Sequence, residues 1–187
     1  MEKRITYFED VKQDNTLMTF QIAADKLKEL NIQKLVLAST KGETAKRAME
    51  FFKDSGVQLI VVAHQYGFSS QDNLFPQELV KQLRNNGHEV YFGTMLFHTE
   101  KLYANNTPTI IADFLRCFSE GVKVCYEITL MATDGGLLRL GESVIAIAGT
   151  GAGADTAMVM QAASTRSLNK LKVNELLCKP LNNYIVN

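Results

Sequence analysis

No excess of charge of either sign runs through this chain of 187 residues, in which 20 lysines and arginines stand against 20 aspartates and glutamates. Electrostatic binding to a polyanion wants surplus Lys and Arg, so no nucleic-acid role is expected. Nowhere do roughly 18 consecutive apolar residues occur, which leaves no candidate membrane span. The opening stretch MEKRITYFEDVKQDN is charged and has no apolar signal core, so the chain reads as cytoplasmic. Cysteine is scarce and odd in number. Cys117, Cys125 and Cys178 have no CxxC spacing, which argues against a disulfide framework and a zinc cluster and for buried free thiols. His88 and His98 lack carboxylates at ligand spacing, so no metal site is expected. Internal repeats, low-complexity tracts and linkers are missing too, and the length suits a single domain over residues 1–187.

What is present is an alternation of apolar runs and amphipathic stretches. After a strand-like RITYF, residues 15–30 place Leu17, Phe20, Ala23, Ala24, Leu27 and Leu30 at helical spacing. A short strand at 34–39 leads to a helix over about 41–54 with the stripe Ala45, Ala48, Met49 and Phe52, stopped near Gly56. The run VQLIVVAH has no polar alternation, the mark of a parallel strand covered on both faces. A helix ending at Gly87 and a strand HEVYFGT continue the rhythm, as βαβ units do. Thr107 and Pro108 then open one interrupted helix or two consecutive ones, broken at Gly121. Next come the strand ESVIAIAG, a glycine-rich turn, and TAMVMQAAS, which pattern alone leaves open between strand and helix.

Three stretches carry chemistry. In STKGETA, Thr40 and Glu43 have the spacing of a capping box. The same turn, at the end of a parallel strand, offers free N–H groups and hydroxyls for a phosphate, and the spacing leaves cap and cradle open. The loop GTGAGADT at 149–156 is not GxGxxG, and NKLK stands where a dinucleotide fold would place its ribose-binding acid. It reads as an anion or ribose loop, a nicotinamide loop, or a bend beside a sheet edge. His64 ends the second strand in AHQYGF, either as a structural histidine or as an acid/base near neutral pH. Glu127 and Asp134 lie seven apart on CYEITLMATDGG, about 10 Å along a helix, too far for a tight catalytic dyad. Burial would oblige each to find a partner such as Lys41 or a backbone donor.

Taken in order, STKGETA, VVAHQYGF, VKVCYEITLMATDGG and VIAIAGTGAGADTA resemble the archaeal pyruvate kinase C-terminal-domain-like proteins, over nearly the whole chain from ITYFE to NELLCKP. Pyruvate kinases are implied only as remote relatives, because no barrel-sized segment is available here. The resemblance implies an α/β fold of three layers, with a five-stranded, mostly parallel sheet and TAMVMQA as an antiparallel edge strand. In pyruvate kinases the corresponding Thr/Ser-rich turn holds a phosphate of a sugar bisphosphate effector, and Ser39, Thr40, Lys41, Gly42 and Thr44 match that pattern. Glu43 departs from it and would repel a phosphate unless it turned into the cap.

The archaeal family is also associated with flavin mononucleotide (FMN), and supplies no catalytic residue. The expectation is therefore a protein that binds a phosphorylated small molecule, FMN first, at the carboxyl ends of the strands. Ser39, Thr40, Lys41, Gly42, Glu43, Thr44 and Ala45 would hold or flank the phosphate. His64, Gly67 and Phe68 would form one wall, and Gly149, Thr150, Gly151, Gly153, Ala154, Asp155 and Thr156 the other. Tyr66, Phe68 and Met131 would meet the flat ring. A homo-oligomer is expected. The rivals are a non-catalytic sensor for a sugar phosphate or nucleotide, and a flavin-dependent oxidoreductase or phosphate-transferring enzyme with His64 as acid/base.

Overall fold

Leu35, Val36 and Leu37 are consecutive and fully buried, yet they serve two different cores. Successive residues of a strand point to opposite faces, so a run of apolar side chains demands cover on both sides. In the computed structural model, which describes residues 2–10, 12–68 and 73–182, that cover comes from helices above and below one sheet. The strands are β1 (Thr6–Phe8), β2 (Lys34–Ala38), β3 (Gln58–Val62), β4 (Glu89–Tyr91), β5 (Ser143–Ala148), β6 (Thr156–Gln161) and β7 (Lys172–Pro180). The helices are α1 (Thr16–Leu30), α2 (Glu43–Phe51), α3 (Gln77–Asn85), α4 (Glu100–Tyr103), α5 (Thr107–Arg116) and α6 (Glu120–Asp134).

The sheet order is β1-β7-β6-β5-β2-β3-β4. Strands β2, β3, β4 and β5 pair in parallel, as does β1 with β7, while β6 is antiparallel to both β5 and β7. Three layers are thus present and TAMVMQA does run against its neighbours, but the sheet has seven strands and β6 lies inside it. The two extra strands come from the ends of the chain. β7 was hidden because two register shifts against β6 break its inside–outside alternation. β1, three residues long, needs β7 as a partner before it can count as a sheet edge.

One face of the sheet carries Phe20, Ala23 and Leu27 of α1, Ala45 and Ala48 of α2, and Leu79 and Leu83 of α3 against Leu37, Leu59, Val61 and Ile145. The rings of Phe20, Phe51 and Phe52 meet there at 4.9–5.6 Å between centroids, the spacing of favourable edge contacts. The expected stripe of α1 is displaced: Leu17 and Leu30 are exposed, and Thr16 and Thr19 take buried positions. Both threonines hydrogen-bond residue 154, with Thr16 Oγ1 accepting from Ala154 N at 3.0 Å and Thr19 Oγ1 donating to Ala154 O at 3.2 Å.

The opposite face is covered by α6, whose Val122, Cys125, Ile128 and Met131 pack on Val36, Ile60, Val144 and Met158. The break between α5 and α6 falls at residues 117–119, not at Gly121. Ser119 is the N-cap and its Oγ accepts from Val122 N at 3.0 Å, so a side chain and not the glycine decides where α6 starts. Gly121 instead admits the side chain of Thr156, which a Cβ would strike. Cys125 and Cys178 are buried free thiols, whereas Cys117 is exposed, contrary to expectation. No helix among the described residues is long and apolar enough to cross a membrane.

Candidate functional site

Strand order creates the site. From β2 the sheet grows one way through β3 to β4, and then β5 adds to the other side of β2. The loops that leave the carboxyl ends of β2 and β5 therefore part in opposite directions and open a crevice at this switch point. The crevice is a cleft of about 560 Å³, lined by residues of the β2, β3 and β5 loops, by Met95 and His98, and by one face of α6. That volume is of the size that takes a small molecule.

From the first loop, Ser39, Thr40, Lys41, Glu43 and Thr44 line the cleft. The helix that follows starts at Glu43 with Gly42 as N-cap at φ +89°, a conformation that favours glycine. The capping box does not form. Helix α2 starts too late for Thr40 to cap it, and Thr40 Oγ1 instead lies 3.1 Å from His64 Nε2. Ser39 takes the buried role, with its Oγ accepting from Ala45 N at 3.3 Å. Glu43 is exposed and lines the cleft. Gly42 and Ala45 stand behind the lining: a Cβ on Gly42 would meet Leu79 at 2.6 Å, so this glycine allows the loop to pack on α3.

From the second loop, His64 and Phe68 line the cleft. Phe68 stands edge-on between two imidazoles, with ring centroids 4.9 Å from His64 and 5.0 Å from His98. His64 Nδ1 is buried without a hydrogen-bond partner among the described residues. Burial holds the His64 pKa below the ordinary histidine value, opposed by Glu127 and helped by His98 and Lys123. Gly67 supplies a positive φ at the turn and does not line the cleft. Tyr66 is turned away: its hydroxyl accepts from Gln77 Nε2 at 2.8 Å and its ring packs on Phe92. Met131 lines the cleft, as Phe68 does, whereas Tyr66 does not.

From the third loop, Gly149, Thr150, Gly151, Ala152 and Gly153 line the cleft. Ala154, Asp155 and Thr156 hold the loop from below. The Asp155 carboxylate accepts from Thr150 N at 2.9 Å and from the Thr156 hydroxyl at 2.7 Å, cinching the turn. Gly149 is required by close approach, since a Cβ there would meet the Gly153 carbonyl oxygen at 2.5 Å. Thr150 Oγ1 is a second buried polar atom without a hydrogen-bond partner among the described residues.

The floor was not foreseen. Lys123 and Glu127, one turn apart on α6, are 1% and 2% exposed and joined by a 2.9 Å hydrogen-bonded ion pair. Glu127 Oε1 also accepts from Phe97 N at 2.9 Å, and Lys123 Nζ lies 3.2 Å from His98 Nε2. Glu127 had been expected to need a partner, but Lys123, four residues earlier in KVCYE, is the lysine that supplies it. That i,i+4 spacing was the available signal. Asp134 serves elsewhere, its carboxylate accepting from Thr165 N and Thr165 Oγ1 at 3.0 and 2.8 Å. His88 is structural: its Nδ1 accepts from Leu59 N at 3.3 Å at the sheet's far end.

Residues 18–160 match the sequence profile of the pyruvate kinase alpha/beta domain. Among solved structures, a Cryptosporidium parvum pyruvate kinase is 14% identical over 75% of this chain and 21% of its own length, with a TM-score of 0.40. The same organism's pyruvate kinase in complex with ADP is 14% identical over 78% of this chain and 23% of its own, with a TM-score of 0.42. The chain thus spans less than a quarter of the length of these pyruvate kinases. With the profile match covering most of its length, the chain belongs to the pyruvate kinase alpha/beta domain family.

Proposed function

We propose that this chain binds a phosphorylated small molecule in the cleft at the β2–β5 switch point, with FMN the leading candidate. The observation that carries the reading is convergence: three loops far apart in sequence and one helix face line a single cleft, and two buried polar atoms there, His64 Nδ1 and Thr150 Oγ1, have no hydrogen-bond partner among the described residues. Unpaired buried polar groups are costly unless something arrives to satisfy them.

The residues present fit such a ligand at both ends. A phosphate suits the start of α2, where the first-turn N–H groups have no intrahelical acceptor and the hydroxyls of Thr40 and Thr44 and the Lys41 ammonium are at hand. A flat ring suits Phe68, Met131, Val124 and Ile128. FMN would supply redox chemistry of its isoalloxazine when bound. The chain's own contribution is to orient the ring, exclude water from its inner edge, and satisfy the phosphate. Glu43 at the rim opposes a dianion, so affinity for phosphate alone is expected to be modest. Mass spectrometry of the small molecule released when the purified protein is denatured tests the reading. Release of FMN or another phosphorylated compound supports it, and a folded protein that neither carries nor takes up such a compound sinks it.

A second reading is favoured by one observation outside the cleft. Ile110 and Phe114 of α5 are 65% and 67% exposed beside a largely apolar groove formed with Phe97, Tyr126, Leu130 and Leu168. Such a face suits a homo-oligomer whose assembly answers to a sugar phosphate or nucleotide in the cleft, with no turnover. Light scattering with and without added ribose 5-phosphate or FMN separates this sensor from a plain carrier.

A further inference from the structure

The Lys123–Glu127 pair lines the cleft, and its hydrogen bonding is incomplete. A lysine ammonium has three protons to give. One goes to Glu127 Oε2 at 2.9 Å and one to His98 Nε2 at 3.2 Å. Glu120 Oε1, at 3.7 Å, is an ion-pair partner beyond hydrogen-bonding reach, and the Phe97 ring, its centroid 5.8 Å from Nζ, offers only a cation–π contact. An ammonium has no lone pair, so the contact with His98 runs from Nζ to Nε2 and fixes the His98 proton on Nδ1. Glu127 in turn uses one lone pair on each oxygen, for Phe97 N and for Lys123, and each oxygen retains another. The floor therefore offers one donor and one acceptor side by side, on two side chains each 2% exposed.

Charge decides what they recognise. Glu43, Glu120 and Glu127 line the cleft against Lys41 and Lys123, and burial keeps His64 and His98 toward the neutral form. No positive charge is spare at the floor, so a second anionic group is disfavoured there. We infer that the Lys123–Glu127 floor reads a neutral amide or imide edge of the bound ring, with Lys123 Nζ donating to a ring carbonyl and Glu127 accepting from the adjacent ring N–H. Inside a low-dielectric site such an edge is selective, because a ligand that cannot complete both bonds leaves a buried charge unsatisfied. The inference rests on the proposed ligand cleft but not on the phosphate, so the two can fail separately.

The test uses the whole chain and four probes: riboflavin, which has the imide and no phosphate; N3-methylriboflavin, which lacks the N–H; ribose 5-phosphate, which has only the phosphate; and FMN. Riboflavin is expected to bind, and its N3-methyl analogue to bind about tenfold more weakly or worse, the loss of one hydrogen bond to a charged group. In the double variant Lys123→Met/Glu127→Leu, which removes both charges and leaves none unpaired, riboflavin should lose that advantage over the methylated analogue. Ribose 5-phosphate should raise the thermal midpoint of both proteins equally. Equal binding of the two riboflavins to the wild type overturns the inference, as does unchanged discrimination in the double variant or no flavin binding at all. A thermal shift with ribose 5-phosphate in that last case would leave the phosphate reading standing. Imide discrimination without any response to ribose 5-phosphate would leave the inference standing and remove the phosphate. Circular dichroism of the double variant checks that it folds. Should it not, the methylated-analogue comparison on the wild type alone decides.

Discussion

Lys123 Nζ and Glu127 Oε2 lie 2.9 Å apart on consecutive turns of α6, with both side chains 2% exposed at the floor of the cleft. Removing one partner of such a pair strands the other charge in the interior, whereas removing both need not destabilise. Lys123→Met alone is expected to cost about 3–5 kcal/mol. The double variant Lys123→Met/Glu127→Leu is expected to recover part of that loss, the remainder being the Phe97 N–H left without its acceptor. Urea unfolding of the wild type and the two variants measures the difference, and an equal cost for single and double variants would contradict the pairing.

Acid should destabilise this protein in a window set by its histidines. Burial is the leading cause that holds His64, His88 and His98 below the ordinary histidine value. Each folded-state histidine thus takes up a proton less readily than its unfolded counterpart. The resulting stability is complete above the unfolded value of about 6.5 and is lost as pH falls from there through the folded values. For His88 the cause is visible in the backbone, since its Nδ1 must stay unprotonated to accept from Leu59 N. Urea midpoints at pH 7.5, 6.5 and 5.5 should fall in that order. A flat profile across this range would contradict the assignment.

Gly42 is the residue of the first loop least able to change. It has φ +89°, and a Cβ would lie 2.6 Å from Leu79. A left-handed residue other than glycine costs roughly 1–2 kcal/mol before any clash, so Gly42→Ala should destabilise by at least about that much. It should weaken ligand binding as well, because the loop would lift from α3. Thermal unfolding and an FMN titration of the variant check both effects. A variant as stable as the wild type would mean that the loop does not depend on this contact.

Thr40→Val keeps the shape of the side chain and removes its hydrogen bond to His64 Nε2. With both ring nitrogens then without a partner among the described residues, the imidazole is expected to reorient toward solvent. The expected result is weaker ligand binding with stability changed by only about 1 kcal/mol, the ordinary worth of one hydrogen bond. The ¹⁵N shifts of His64 report the change directly. Unaltered shifts would show that Thr40 does not position the ring.

The parts of this molecule that were legible in its sequence are those in which pattern and burial agree. β2, β3 and β5 read as strands, β3 as one covered on both faces, and the loops after them held residues that line the cleft. β7 escaped because its bulged pairing with β6 scrambles the period of two, and RITYF, though strand-like, becomes a sheet edge only with β7 as its partner. The capping box failed because α2 starts at Glu43, too late for Thr40, whose hydroxyl meets His64 just past the end of the neighbouring strand, a contact that spans 24 residues. Tyr66 was placed in the cleft by proximity to His64, but the turn at Gly67 directs its hydroxyl to Gln77 instead. The floor pair was written as an i,i+4 lysine and glutamate, a pattern that usually marks a solvated helix face. Only the cover supplied by the sheet and by Phe97 turns it into a buried ion pair.

The central claim is that the β2–β5 cleft is a ligand site, and Gly151 offers the cleanest way to close it. This residue lines the cleft, its φ lies outside the left-handed region, and nothing lies within 4 Å of an added Cβ. Gly151→Phe should therefore fold normally while its ring fills the mouth of the cleft. Titration with FMN, followed by flavin fluorescence and by the thermal midpoint, is predicted to show saturable binding to the wild type and none to Gly151→Phe. Equal binding to both proteins would place the ligand elsewhere, and the absence of binding to folded wild type would contradict the flavin assignment itself.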